Sequence, residues 1–194
     1  VTKYFPASDV RLLAELGVSD VGENRHQEAE QKSAECGDLA VRWHYIGGLQ
    51  SNKAAAVARY ADMVESLDRA KLLPGLSRGA LERGRDLEVL VQVSLDDPDA
   101  AGARSGVAPE QLLTLAEQVV ATPGLHLRGV MAVAPLGGDA ARAFEQLAGY
   151  AARLRTQFPQ ADLISAGMSG DLEEAVLHGA THVRIGRAVL GERS

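Results

Sequence analysis

The sequence predicts an α/β fold built as a (β/α)8 TIM barrel. Short runs of strand character alternate with longer runs of helical period along all 194 residues. The intervals are long enough for crossover helices, which implies a parallel sheet with helices outside. Seven strands are readable, and a stub at the chain's start supplies an eighth. An open doubly wound sheet satisfies the same alternation. Complete barrels run ~250 residues with a lower bound near 200, so pattern alone leaves both architectures open.

In chain order, Val1-Thr2-Lys3 reads as the tail of a first strand, and a helix runs from Ala7 to Leu16 after Pro6. Asp20–Glu23 is a strand, followed by a polar helix over Gln27–Glu35. Arg42–Ile46 is the next strand, then a helix from Asn52 to Tyr60. Asp62–Glu65 is a strand and Arg69–Arg83 a helix. Leu87–Leu95 (LEVLVQVSL) is the clearest strand because β-branched residues crowd it. Pro109 opens a helix through Ala121, since proline suits a first helical turn. Leu125–Val133 is a strand, Ala140–Gln157 a long helix, Asp162–Ala166 a strand, Asp171–His178 a helix and Thr181–Ile185 the last strand.

Composition narrows the function classes. Hydrophobic residues make up 46% and charged residues 24%, the mix of a globular protein. The formal net charge of −6 argues against binding nucleic acid through its phosphates. No apolar run reaches the ~20 residues of a membrane span. Cys36 is the only cysteine, which excludes an intrachain disulfide, favours a reducing, cytoplasmic setting and carries no assigned role. Val1 stands where a reading frame would have methionine, so the expectation is a longer protein. The missing part would hold most of the first strand. The domain expectation is a single barrel over 1–194, truncated at its N-terminus.

In a barrel the site lies at the C-terminal ends of the strands, and an anion commonly sits at the last two loops. Ser165–Asp171 (SAGMSGD) joins a strand to a helix there. Its small residues let backbone N–H groups approach an anion, and Ser169 can donate its hydroxyl. The same stretch also reads as a plain helix cap by Ser169 or Asp171. Alternation puts His182, Arg184 and Gly186 on one face of the last strand. An inward Arg184 needs a partner, either a ligand or a neighbouring carboxylate. His44 shares a face with Arg42 and Ile46, and a lone strand histidine suits a core as well as a site. Asn24 is either a helix cap or a ligand contact. Gln92 and Ser94 bring polar groups toward the end of their strand. Lysine is rare, only Lys3, Lys32, Lys53 and Lys71. Lys3 sits at the end of the first strand, where a desolvated amine can form a Schiff base, although a terminal lysine can equally be solvated.

Several motifs resemble the pyridoxal phosphate homeostasis protein family (YggS/PROSC-like), whose fold is alanine racemase N-terminal-domain-like. They are Trp43–Lys53 (WHYIGGLQSNK), Gly22-Glu23-Asn24 and the closing stretch Ser165–Arg193. Val1-Thr2-Lys3 followed by Pro6 resembles the family's Val-Ser-Lys-x-x-Pro, and Arg128–Ala132 its Arg-Gly-Leu-Met-Ala. The motifs run in order from end to end. The resemblance implies a barrel binding pyridoxal 5'-phosphate (PLP) as an internal aldimine on Lys3. It implies a phosphate held by Ser169 with the backbone of Gly186 and Arg187, Arg184 beside the pyridine nitrogen, Asn24 near the ring, and Ser165, Met168 and His44 in the cofactor site. No metal is implied.

Two departures stand out. Arg187 occupies the position where the family often has a phosphate-binding Thr or Ser, and Ser94 stands where it has Asn. The loop Asp96–Gly106 also diverges. The implied function is intracellular PLP homeostasis, buffering the aldehyde and delivering it to apo forms of PLP-dependent enzymes, as a cytoplasmic monomer. The alternative is a small PLP-dependent racemase with Lys3 as catalytic base, disfavoured because an Arg beside the pyridine nitrogen weakens the electron sink. A third class is a barrel enzyme that binds a phosphorylated metabolite at Ser169 and Gly186.

Overall fold

The computed structural model describes residues 1–96 and 105–191. Six strands form one sheet in sequence order: β1 (Asp20–Glu23), β2 (Arg42–Tyr45), β3 (Met63–Leu67), β4 (Leu87–Gln92), β5 (Leu125–Met131) and β6 (Leu163–Ser165). Every pairing is parallel. Helix α1 (Ala7–Glu15) precedes β1, and the other longer helices lie between the strands: α2 (His26–Glu35), α3 (Ala54–Tyr60), α4 (Leu73–Arg83), α5 (Leu112–Val120) and α6 (Ala140–Gln157). Short α7 (Leu172–Leu177) and α8 (Arg187–Leu190) complete the order.

The sheet curls as a barrel wall, and two segments continue it beyond its edges. Thr2 N–H donates to Gly22 O (2.9 Å), laying the chain's start along β1. Ser165 bridges to His182, and Ala166 N–H donates to His182 O (3.0 Å). The Val1 amino group meets Ile185 O, so hydrogen bonds run around the whole circuit. These two segments take the first and eighth strand positions.

The predicted strand over Thr181–Ile185 is reduced to that single bridge. Ile164 N–H donates to Thr181 Oγ1 (2.9 Å), so a side chain takes the place of a ladder carbonyl. The strand predicted at Asp62–Glu65 runs instead over Met63–Leu67; Asp62 stands at its entry, where its N–H donates to Trp43 O (2.7 Å) and its carboxylate accepts from Trp43 N–H (2.8 Å). The helices predicted from Asn52, Arg69 and Pro109 each begin with a 3-10 turn, at Ser51–Lys53, Ala70–Leu72 and Pro109–Gln111.

The buried apolar residues form three clusters, a large one, one of Val10, Val21, Cys36 and Trp43, and a small inner one, placed on either side of the sheet by strand alternation. The large one lies between sheet and helices, with Val64, Val89, Val91 and Val130 packed on Leu76, Leu115, Phe144 and Leu147. A small inner cluster of Met63, Leu90 and Met131 fills the barrel. Helices α3 and α4 touch backbone to backbone: a Cβ on Gly79 would lie 2.3 Å from Ala55 O. Helix α6 is capped by Asp139, whose carboxylate accepts from Arg142 N–H (3.2 Å). Among the described residues, no helix is long and apolar enough to cross a membrane.

Candidate active site

Above the inner apolar cluster, a chain of polar side chains crosses the barrel. His44 on β2 and Glu65 on β3 face inward by alternation. His44 Nδ1 donates to Glu65 Oε1 (2.7 Å), and Nε2 to Asp20 Oδ1 (2.9 Å). Glu65 Oε2 accepts from Ser165 Oγ (2.5 Å). Arg184 Nη1 donates to Ser165 Oγ (2.7 Å) and Nη2 to Ala132 O (2.7 Å). Burial alone would lower the His44 pKa, but the Glu65 and Asp20 carboxylates hold it above the ordinary value. Burial would raise Glu65, yet His44, Ser165 and Arg184 hold it below the ordinary carboxylate value. Burial lowers the Arg184 pKa against the opposing pull of Glu65 and Asp171. Arg184 therefore points inward, as alternation predicts, with its fork engaged at Ser165 and Ala132. Both nitrogens of His44 are committed to carboxylates, which leaves only the ring face for a ligand.

The remaining predicted residues gather at the rim. Val1 faces Gly22, its Cγ2 3.6 Å from the place of a Cβ there, and strand alternation puts Lys3 on the same side. Lys3 is half-buried, its Nζ 5.0 Å from the centroid of the Tyr4 ring. Gly186 lies against the same segment, since a Cβ on it would sit 3.3 Å from Val1 O. Arg184 N–H donates to Gly167 O (2.9 Å), which joins the loop carrying Met168 and Ser169 to the one carrying Gly186 and Arg187. Gly167 has φ +88°, and a Cβ there would lie 2.6 Å from Ala175 Cβ. Met168 and Ser169 are exposed on the turn, where Met168 N–H donates to Asp171 Oδ1 (2.6 Å). That bond turns Asp171 away from capping α7. Arg187 is exposed.

These residues fit an aldehyde cofactor with a phosphate. Among the described residues, the N–H groups of Ser169, Gly170, Gly186 and Arg187 donate to nothing, so two adjacent loops offer free donors. Asn24 Oδ1 is buried and unpartnered, a polar atom with unused capacity. Gly47 lets the chain pass Asn24 closely, because a Cβ there would fall 2.3 Å from Asn24 O. Lys3 supplies the amine. Of the loop Asp96–Gly106, residues 97–104 lie outside the described residues, as do Glu192 and Arg193.

Sequence reasoning missed Asp20 and Glu65 as partners of His44. The signal was Glu65 on the same strand face as Met63, a carboxylate between apolar neighbours on that face. It also missed Lys32, which is 6% exposed beneath the first segment. Cys36 is buried and its thiol pKa is pushed up by that burial.

The family model "Alanine racemase, N-terminal domain" matches residues 7–194. A pyridoxal phosphate homeostasis protein of Mycobacterium tuberculosis is 42% identical over 209 residues, covering 100% of this chain and 81% of its own length. The protein of that name from Corynebacterium glutamicum is 42% identical over 201 residues, covering 100% and 88%. The structure of PipY from Synechococcus elongatus with PLP bound superposes with a TM-score of 0.87 at 37% identity, covering 98% of this chain and 90% of that one. Alanine racemase from Corynebacterium glutamicum shares the fold alone, with a TM-score of 0.72 at 13% identity, covering 96% and 53%.

Proposed function

The chain belongs to the alanine racemase N-terminal-domain family and, within it, to the pyridoxal phosphate homeostasis proteins, and on that basis we propose that it binds PLP at the barrel rim and serves its homeostasis. One observation carries the reading. The Lys3 segment lies against Gly186, and the Gly186 loop is hydrogen-bonded to the Ser169 loop, so an amine and free backbone donors share one rim.

Lys3 would hold the cofactor's aldehyde through its Nζ. The Ser169 hydroxyl and the N–H groups of Gly186 and Arg187 would receive the phosphate, Asn24 would meet the ring, and Met168 would cover the rim. When bound, the group supplies a reactive aldehyde and a conjugated ring that can draw electrons from an attached amine. Arg184, its guanidinium fixed by Ser165 and Ala132 and that arrangement held from below by Glu65 and His44, would stand beside the pyridine nitrogen. A fixed cation disfavours a proton on the ring nitrogen, which weakens the electron sink that amino-acid racemisation needs. The arrangement therefore favours a carrier that buffers the aldehyde over a racemase. In this reading it works as a cytoplasmic monomer that hands PLP to apo-enzymes.

The test is the absorption spectrum of protein incubated with PLP, before and after borohydride, followed by peptide mapping. A pyridoxyl group on Lys3 is expected. Its absence, with phosphate-dependent binding of other metabolites, would favour the barrel enzyme acting on a phosphorylated substrate.

A further inference from the structure

Lys3 is held from beneath by a buried ionic cluster that the binding reading does not use. Lys32 on α2 is almost fully buried. Its Nζ donates to Glu23 Oε1 (2.6 Å), Glu28 Oε1 (2.7 Å) and Thr2 O (2.7 Å). Thr2 Oγ1 donates to Glu23 Oε1 (2.6 Å). Tyr4 N–H donates to Glu28 Oε1 (2.6 Å). Thr2 O belongs to the peptide group before Lys3, and Tyr4 N–H to the one after it. Both peptide planes flanking the Lys3 Cα are thus tied to one cluster, and with them φ and ψ of Lys3.

Tyr4 itself adopts φ +70°, a left-handed conformation rare outside glycine. Such a conformation persists only where its surroundings enforce it; Phe5 N–H donates to Thr2 O (3.0 Å), closing a turn over Lys3 and Tyr4, and the Glu28 carboxylate anchors that turn to α2. The Tyr4 ring, placed by that backbone, receives Lys3 Nζ at 5.0 Å and the Arg25 guanidinium at 4.9 Å from its centroid. Burial raises the Glu23 pKa against the pull of Lys32 and Thr2. Glu28, which burial would also raise, is held below the ordinary carboxylate value by Lys32 and Tyr4 N–H. Glu28 therefore stays an anionic acceptor at neutral pH.

We propose that Glu23, Glu28 and Lys32 are positioning residues for Lys3: they fix the backbone on both sides of it and so aim its amine at the cofactor aldehyde. The proposal rests on the reading of Lys3 as the attachment point. In the attachment the neutral amine nitrogen bonds to the aldehyde carbon, and one water leaves with the aldehyde oxygen. Borohydride then delivers hydride to the resulting carbon–nitrogen double bond. A ground-state geometry already close to the bonding direction accelerates the first of these steps.

The experiment compares the parent chain with Glu28→Ala, Glu28→Gln and Lys32→Met. Its readouts are the rate of attachment of added PLP, visible-band circular dichroism per bound cofactor, and far-ultraviolet circular dichroism for folding. Glu28 is partly exposed, so Glu28→Ala should keep the fold. Its expected result is about tenfold slower attachment and at most half the visible signal. Glu28→Gln keeps an oxygen to accept from Tyr4 N–H and should recover to within about threefold of the parent. Lys32→Met should lose both readouts more fully and unfold more easily. If the parent attaches PLP at Lys3 while Glu28→Ala matches it in rate and visible signal, the positioning role is overturned and the binding reading stands. If the parent itself shows no attachment at Lys3, both readings fall.

Discussion

Glu65 and Ser165 stand a hundred residues apart in sequence and share a 2.5 Å hydrogen bond inside the barrel. The bond ties β3 to β6 across the interior and sets the hydroxyl that holds Arg184. Glu65→Ala removes the acceptor for both Ser165 and His44 and leaves two cationic groups without their buried anion. The expected loss is about 3 kcal/mol of unfolding free energy, checked by urea melts at neutral pH. An unchanged midpoint would remove the network from the fold's supports.

The same network sets a pH window. The folded-state pKa of His44 is raised, so its contribution is complete below its unfolded value near 6.5 and is lost as pH rises through the folded value. Glu65 is depressed, so its contribution is present above its unfolded value near 4.5 and is lost as pH falls through the folded value. Stability from this pair should be greatest between roughly pH 4.5 and 6.5 and decline on the alkaline side. Thermal melts from pH 4 to 9 test this, and His44→Gln should flatten the alkaline slope.

Ser169 lies exposed on its turn, away from the core. Ser169→Ala should speed PLP release about tenfold with an unchanged melting temperature in the absence of cofactor. Release is read by transfer to an excess of apo-enzyme. Equal release rates in variant and parent would remove the hydroxyl from the phosphate contacts.

Arg187 replaces the hydroxyl that the family often places beside the phosphate. Arg187→Thr should bind PLP more tightly by about threefold to tenfold, since a short hydroxyl next to free N–H groups orders less chain than an exposed Arg does. Equilibrium dialysis measures it, and weaker binding would assign the phosphate to the guanidinium instead.

Gly129 has φ +148°, and a Cβ there would come within 1.9 Å of Leu163 O. Gly129→Ala should cost more than about 2 kcal/mol by forcing β5 from β6. Denaturant melts give the value.

Local periodicity carries much of this fold. Ala140–Gln157 is bounded as predicted because Asp139 caps it and its apolar face is regular. Thr181–Ile185 was less legible, since its strand character depends on whether Ile164 bonds a backbone carbonyl or the Thr181 hydroxyl, a choice made only in the folded contact. In the site, Arg184 pointing inward follows from alternation. The commitment of His44 to two carboxylates does not, because Asp20 and Glu65 lie 24 and 21 residues away on other strands. The Glu28–Lys32 spacing is visible in the sequence as a helical ion pair. That the pair is covered by Thr2 and Tyr4 appears only when the chain's start crosses α2.

The wall of the cylinder is uneven in strength. β4 and β5 are stitched through six register pairs, whereas the seam from β6 to 182–185 holds by a bridge and a few scattered bonds. Transient breathing should begin at that seam, so the amides of Ala166 and Arg184 should exchange with deuterium well before those of Val91 and Val130. The loops offering anion donors hang on this weaker stave. Local opening and escape of a phosphorylated guest then become one motion, and a vessel meant to surrender its contents gains a built-in spout.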